Sequence, residues 1–267
     1  MTADAVPMSP IPAGEVVAAR RSRSNLRVRA AHGLYRFATR LHWAEPELVG
    51  LGAFIRPGDE VIDVGAALGM YTVPLTDLVG RRGRVWSFEP QPRGIFTVRL
   101  LRAITGPHRG RVTRTAMGPA KGDSTIVVPF HNGFPIFGHG HVAGRTDDGG
   151  GRQYRTRAPM STVDLFCAEE SILRVAFIKV DVEGFEPSVI AGARSTIDRD
   201  LPTLLLEIED RHLARYGRTA ADFVGEIREH WPDYRMYTWV DASWIPTDDI
   251  TPEVRNYLFA TDAALAR

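Results

Sequence analysis

The sequence predicts an α/β protein built on a doubly wound, mostly parallel sheet that ends in an antiparallel closing strand pair. Short apolar runs at 60–64, 84–88, 175–180 and 203–208 alternate with stretches of helical period, the rhythm of βαβ units. The last two runs, Tyr234 to Trp239 and Asn256 to Ala260, leave no room for a full crossover helix and read as an antiparallel pair. At 267 residues with 44% hydrophobic content, the chain can bury one sizeable core.

Residues 1–29 read as a flexible, basic extension. Pro7, Pro10 and Pro12 open it, and Arg20, Arg21, Arg23, Arg27 and Arg29 follow. Leu34, Phe37 and Leu41, then Leu48, Leu51 and Ile55, recur at helical spacing. Arg56-Pro57-Gly58-Asp59 is a turn before the first strand, Glu60 to Val64. A glycine turn, Gly65 to Gly69, leads into a helix to about Leu78. Arg84 to Phe88 is the second strand, a helix carries Ile95, Val98 and Leu101, and Val112 to Ala116 is the third strand. The rhythm resumes at Val175 to Val180, with a helix from about Pro187 to Ile197, the strand Thr203 to Ile208 and a helix around Ala220 to Glu229.

Residues 117–160 interrupt this order. Ser124 to Pro129 and Tyr154 to Pro159 read as two extra strands around a glycine-rich insertion at about 131–152. A long loop inside a compact domain points to function or disorder. The domain plan is therefore an extension at 1–29 and one domain at 30–267.

Several function classes are excluded. No apolar run is long enough for a transmembrane helix. The N-terminus lacks the apolar core of a secretory signal, and the single cysteine, Cys167, excludes a disulfide framework, so the cytoplasm is the expected compartment. A net charge of +1 gives no pull towards nucleic acid, and no phosphate-cradling Gly-Lys-Ser/Thr motif is present.

The residues with chemistry cluster after the strands. In Val61-Ile62-Asp63-Val64-Gly65-Ala66-Ala67-Leu68-Gly69, glycine lets the backbone turn sharply and approach a ligand without a Cβ in the way. Free N–H groups at the next helix start can hold a carboxylate or phosphate. Glu89 ends the second strand, where an acid in such folds bonds ribose hydroxyls. Ala67 stands where a dinucleotide fingerprint wants its second glycine, and Asp63 favours a cationic ligand end. Asp181 follows the fourth strand, at the sheet end where ligands bind, with Glu183 two residues on and Gly184 free to adopt positive φ. Lys179 lies inside that strand and reads as paired with an acid.

These pieces carry a resemblance. The chain is similar to class I methyltransferases of the FkbM family in Val61-Ile62-Asp63-Val64-Gly65-Ala66 with Gly69, in Phe88-Glu89-Pro90, and in Phe177-Ile178-Lys179-Val180-Asp181-Val182-Glu183-Gly184-Phe185-Glu186 with Val189, Gly192 and Ala193. Leu204-Leu205-Leu206-Glu207-Ile208 and Asn256-Tyr257-Leu258-Phe259 fit as well, so the resemblance runs from about 45 to 260. It implies a seven-stranded sheet with a reversed last strand, S-adenosyl-L-methionine as cofactor, and O-methylation of a small-molecule or glycan hydroxyl, such as a sugar, glycolipid or secondary metabolite. It places Asp63, Gly65, Ala66, Gly69 and Tyr71 around the methionine part, Glu89 and Pro90 at the ribose, Ala116 and Met117 near adenine, and Asp181 facing the methyl group.

For the chemical step, Asp181 is the first candidate to orient or deprotonate the acceptor, with Glu183 beside it. His139, His141 and His131 lie in the insertion and titrate near neutrality. No metal site is expected, although His139-x-His141 with a carboxylate, or Asp181 with Glu207 or Glu209, leaves a divalent ion open as a second reading. N-methylation, a nicotinamide oxidoreductase and a non-catalytic nucleoside-binding protein are the alternatives, and a homo-oligomer is open.

Overall fold

A computed structural model describes residues 10–12, 26–40, 44–105, 109–131, 134–135, 139–144, 147 and 152–266. Ile11–Pro12 forms β1 and Leu26–Arg40 forms α1, followed by a 3-10 helix at Pro46–Ala53. Then come β2 (Glu60–Val64), α2 (Thr72–Val79), β3 (Arg84–Phe88), α3 (Pro92–Thr105), β4 (Gly110–Thr113) and β5 (Ala116–Met117). The middle of the chain holds β6 (Gly122–His131), β7 (Phe134–Pro135), β8 (His141–Val142), β9 (Gln153–Ser161) and α4 (Val163–Glu169). The second half holds β10 (Phe177–Val180), α5 (Glu186–Ala191), α6 (Arg194–Asp200), β11 (Thr203–Glu207), α7 (Asp210–Leu213) and α8 (Ala220–His230). The chain closes with β12 (Arg235–Val240), β13 (Ser243–Pro246), β14 (Asn256–Ala260) and α9 (Asp262–Leu265).

The main sheet runs β1-β13-β12-β14-β11-β10-β2-β3-β4. β4, β3, β2, β10 and β11 are parallel, and β14 enters antiparallel between β11 and β12. Seven of these strands are the expected doubly wound set with its reversed last strand.

Two further strands extend that edge. β13 turns back on β12 through Asp241 and Ala242, whose φ values of +47° and +59° make the tight hairpin turn that matches strand twist. Neither residue is the asparagine or glycine that usually marks such a turn, so the strand left no signal. Ile11 pairs with Trp244, which ties part of the 1–29 segment to the sheet.

Strand alternation sorts the core into two faces. Ile62, Val64, Ile178, Val180, Leu204, Leu206 and Phe259 pack on one side with residues of α4, α5, α6 and α8. Val61, Val85, Phe177, Leu205 and Leu258 face the other side with the 3-10 helix and α2. Leu48, Leu51 and Ile55 are buried there as their spacing predicts, while Leu34 is exposed; Leu41 and the side chain of Phe37 lie outside the described residues.

Three expectations change in detail. The third strand divides: it ends at Thr113, and Ala116–Met117 joins a second sheet ordered β5-β9-β6-β7. The helix expected over Pro187 to Ile197 breaks at Gly192, whose added Cβ would lie 2.0 Å from the Gly118 carbonyl oxygen, so two helices form around a close backbone approach. The two extra strands are β6 and β9, paired antiparallel from Gly122–Met160 to Pro129–Gln153. Within the insertion between them, β8 pairs antiparallel with β6.

Candidate active site

The carboxyl ends of β2, β3 and β10 open onto one cavity, where ligands bind in sheets of this kind. Its apolar wall is Val64, Phe88, Ala116, Met117, Ile126, Val142 and Phe185; its polar groups include Glu89, Gln91, Thr115, His141, Asp181 and Glu183.

Gly65 fixes the first turn. It has φ +80°, and a Cβ there would lie 1.8 Å from the backbone oxygen of Asp181, so no other residue lets β2 and β10 end so close together. Ala67 takes φ +43°, and its N–H donates to Glu89 Oε2 at 2.8 Å. Glu89 Oε1 accepts the Gln91 N–H at 2.8 Å. Burial pushes the Glu89 carboxyl up to about 7, against the pull of those two N–H groups. Gly94 leaves room for the Glu89 side chain, since a Cβ would come within 2.6 Å of its Cγ. A buried, backbone-anchored carboxylate beside an apolar wall has the chemistry to hold a nucleoside: an acceptor for a diol and a slot for a base.

On the other core face, Lys179 and Asp63 are register neighbours on β10 and β2. Lys179 Nζ lies 3.1 Å from Asp181, 4.0 Å from Asp63 and 3.1 Å from the Gly65 carbonyl, with the Tyr71 ring 4.8 Å away. Burial alone would lower the Lys179 pKa, but Asp181 and Asp63 outweigh it and the net shift is upward. Asp63 also accepts the Thr72 hydroxyl at 2.6 Å and is fully buried. Asp63, Ala66, Gly69 and Tyr71 therefore sit behind the turn and are not among the cavity-lining residues, because their polar groups are engaged inside the fold or their side chains pack in it. Gly65, Glu89, Pro90, Ala116, Met117, His141, Asp181 and Glu183 line the cavity.

The loop after β10 is held in an unusual shape. Glu183 has φ +59° and Gly184 φ +101°, a backbone cost kept where a side chain must be aimed. Glu186 Oε1 accepts the N–H groups of Val182 and Gly184 at 2.8 and 3.3 Å. Gly184 is required again by approach, since a Cβ would lie 2.3 Å from the His212 carbonyl oxygen. The result points Glu183 between two imidazoles: His139 Nδ1 at 3.1 Å and His212 Nε2 at 3.2 Å. Burial first, then the like charge of Glu207, raises the Glu183 carboxyl to about 7. Burial, then the charge of His212, lowers the His139 pKa.

His141 takes a different place from His139. Its Nε2 meets Asp147 at 2.9 Å, and Asp147 also accepts the Gly144 N–H at 2.6 Å, so His141 fastens the described part of the insertion over the cavity wall. The side chain of His131 lies outside the described residues.

Sequence reading missed His212 and the group formed by Glu45, Glu47, Asn256 and Arg255. Glu47, 3% exposed, accepts the Tyr71 hydroxyl at 2.7 Å and the Asn256 amide at 2.5 Å, joining segments more than 200 residues apart. Arg255 reaches Glu207 at 2.5 Å and Glu209 at 2.8 Å. Glu207 ends β11 and Glu209 follows it, and both were legible as acids at a ligand-binding edge; the others converge only in the fold.

Burial, and then the charge of Glu45, lifts Glu47 to about 7 from an ordinary 4.5. The folded state then holds a proton that the unfolded chain has released, so this contribution is full below pH 4.5 and is lost as pH rises through 7. Glu47→Gln keeps an acceptor oxygen and removes the titration. Its stability relative to wild type should rise by about 2–3 kcal/mol between pH 4.5 and 8, read from urea midpoints. A constant difference across that range would remove Glu47 as the cause.

Comparison with known proteins follows the same lines. The methyltransferase FkbM domain model matches residues 63–237, which include Gly65, Glu89, Asp181 and Glu183. The 31-O-demethyl-FK506 methyltransferase FkbM of Streptomyces tacrolimicus is 28% identical over 187 residues, covering 60% of this chain and 68% of that protein. Among solved structures, the methyltransferase FkbM of Methylobacillus flagellatus shares 21% identity at a TM-score of 0.47, over 87% of this chain and 58% of that one. This chain thus spans under two thirds of the length of that structure. An O-methyltransferase from Bacillus cereus, solved with S-adenosylhomocysteine, shares 10% identity at a TM-score of 0.45, over 89% and 91% of the two chains. No helix among the described residues is long and apolar enough to cross a membrane. The family match spans the carboxyl ends of all three strands that build the cavity, and on it the chain belongs to the FkbM methyltransferase family, as an S-adenosylmethionine-dependent enzyme.

Proposed function

We propose that the chain methylates a hydroxyl of a small molecule or glycan, with the cofactor held in the cavity above β2, β3 and β10. The observation that carries this reading is the pair of carboxylates on the cavity wall: Asp181, ion-paired to Lys179 at 3.1 Å, and Glu183, raised to about 7 between two histidines. An alcohol keeps its proton at neutral pH and gains from an acceptor tuned near that pH. The named activity of the Streptomyces relative, at an oxygen, agrees with this reading.

In this reading Glu89 accepts the ribose hydroxyls, beside Pro90 and Gln91. Ala116, Met117, Phe88 and Ile126 give the base its slot, and the Gly65 turn leaves space for the amino-acid end. Bound S-adenosylmethionine would supply an activated methyl group on a sulfonium. The chain's own work is then to align the acceptor oxygen, exclude water and take its proton. Asp181, ion-paired to Lys179 at 3.1 Å, orients the acceptor hydroxyl. Glu183 receives the proton, and the imidazoles of His139 and His212 hold its carboxylate in place.

Asp181→Asn should lower turnover by about 10²-fold or more while changing S-adenosylhomocysteine affinity little. Unchanged turnover would remove Asp181 from the mechanism. The acceptor class is tested with methyl-labelled cofactor against matched hydroxyl and amine compounds, including sugars, glycolipids and secondary metabolites. Label on oxygen is expected; label on nitrogen alone would overturn the hydroxyl reading.

A further inference from the structure

Three buried side chains beside the cavity converge as the donors of one cation would. Glu183, Glu207 and His212 each offer one ligand atom, and these atoms all lie within 4.8 Å of one another. The three residues are 6%, 3% and 7% exposed. They come from the loop after β10, the end of β11 and α7, so no local turn explains their meeting. His212 Nε2 stands 3.2 Å from Glu183 Oε2, and His212 Nδ1 stands 3.4 Å from Glu207 Oε2.

An imidazole binds one ion through one ring nitrogen, so only one of these two distances separates two ligand atoms; the second pair is the informative one. Glu207 Oε2 and His212 Nδ1 are both buried, and at 3.4 Å their ion pair lacks the geometry of a formed hydrogen bond. A shared proton would draw such a pair to about 2.7–2.9 Å. Ligands of one first-row cation, each bound at about 2.0–2.2 Å, stand about 3 Å apart instead. Arg255 covers only the Oε1 side of Glu207.

We propose that Glu183, Glu207 and His212 form a site for a divalent first-row cation. One imidazole and two carboxylates suit manganese or zinc better than an all-oxygen magnesium site. Glu183 also lines the cavity, so the ion would stand at the wall where the acceptor hydroxyl arrives; with the ion bound Glu183 is a ligand and Asp181 takes the proton in its place, a role that rests on the hydroxyl reading above, whereas binding does not.

The test uses the full chain after chelator treatment, titrated calorimetrically with Mn²⁺ alone and with Zn²⁺ alone. One ion per chain is expected for at least one metal. Affinity should weaken by at least about tenfold in Glu207→Gln and in His212→Gln. It should also fall as pH drops, because the ion displaces a proton from His212. Thermal unfolding of each variant without metal checks that it folds. No saturable binding to wild type overturns the site, and so does binding that both folded variants retain. Titrating the same preparation with S-adenosylhomocysteine separates the two readings. Cofactor binding without metal binding sinks only the ion site. Metal binding with label on nitrogen alone sinks only the hydroxyl reading.

Discussion

Lys179→Met should destabilise the fold by about 3–5 kcal/mol, the usual cost of removing one partner from a buried charged group. Lys179 is 3% exposed and is flanked by Asp63, Asp181 and the Gly65 carbonyl. Methionine fills most of the same volume, so the loss comes from charge and not from a void. Asp63, fully buried, would keep only the Thr72 hydroxyl as a partner for its charge. The double variant Lys179→Met with Asp63→Asn should recover part of the loss, because it removes the stranded charge. Urea unfolding measures both; a single variant within 0.5 kcal/mol of wild type, roughly the scale of surface changes, would show that the pair carries little.

Glu89→Ala should weaken S-adenosylhomocysteine binding by about 10²-fold. The substitution removes the acceptor offered to the ribose and also leaves the N–H groups of Ala67 and Gln91 without their buried partner. The stranded N–H groups cost stability in the free and bound chain alike; the lost hydrogen bonds from ribose to a charged acceptor cost about 1.5–3 kcal/mol, and every 1.4 kcal/mol is tenfold in affinity. Glu89→Gln keeps one acceptor oxygen and should fall between the two. Because burial lifts Glu89 to about 7, wild-type affinity should also decline as pH falls below 7 and the ribose acceptor gains a proton. Affinity unaffected in Glu89→Ala would place the ribose elsewhere.

The architecture was legible where each strand carried both an apolar run and a clear stop. β2 and β3 match the expected bounds because Gly65 and Glu89-Pro90 punctuate them. β13 was hidden because Asp241 and Ala242 adopt positive φ without a glycine to announce it. The helix break at Gly192 depends on the distant Gly118 backbone, which no local pattern records.

The site was legible to the same depth. Position after a strand marked Gly65, Glu89, Asp181 and Glu183, since strand ends are where such sheets bind ligands. What position could not tell is which face a side chain takes. Asp63 alternates onto the face of Lys179, and Tyr71 turns its hydroxyl to Glu47. His212 had no motif at all; it reaches Glu183 only because Gly184 lets α7 approach the loop.

The most direct test of the cofactor cavity is calorimetric titration of the purified chain with S-adenosylhomocysteine and, separately, with NADH. One-to-one binding of S-adenosylhomocysteine with no NADH binding is the predicted result. Saturable NADH binding with no response to S-adenosylhomocysteine would contradict the account.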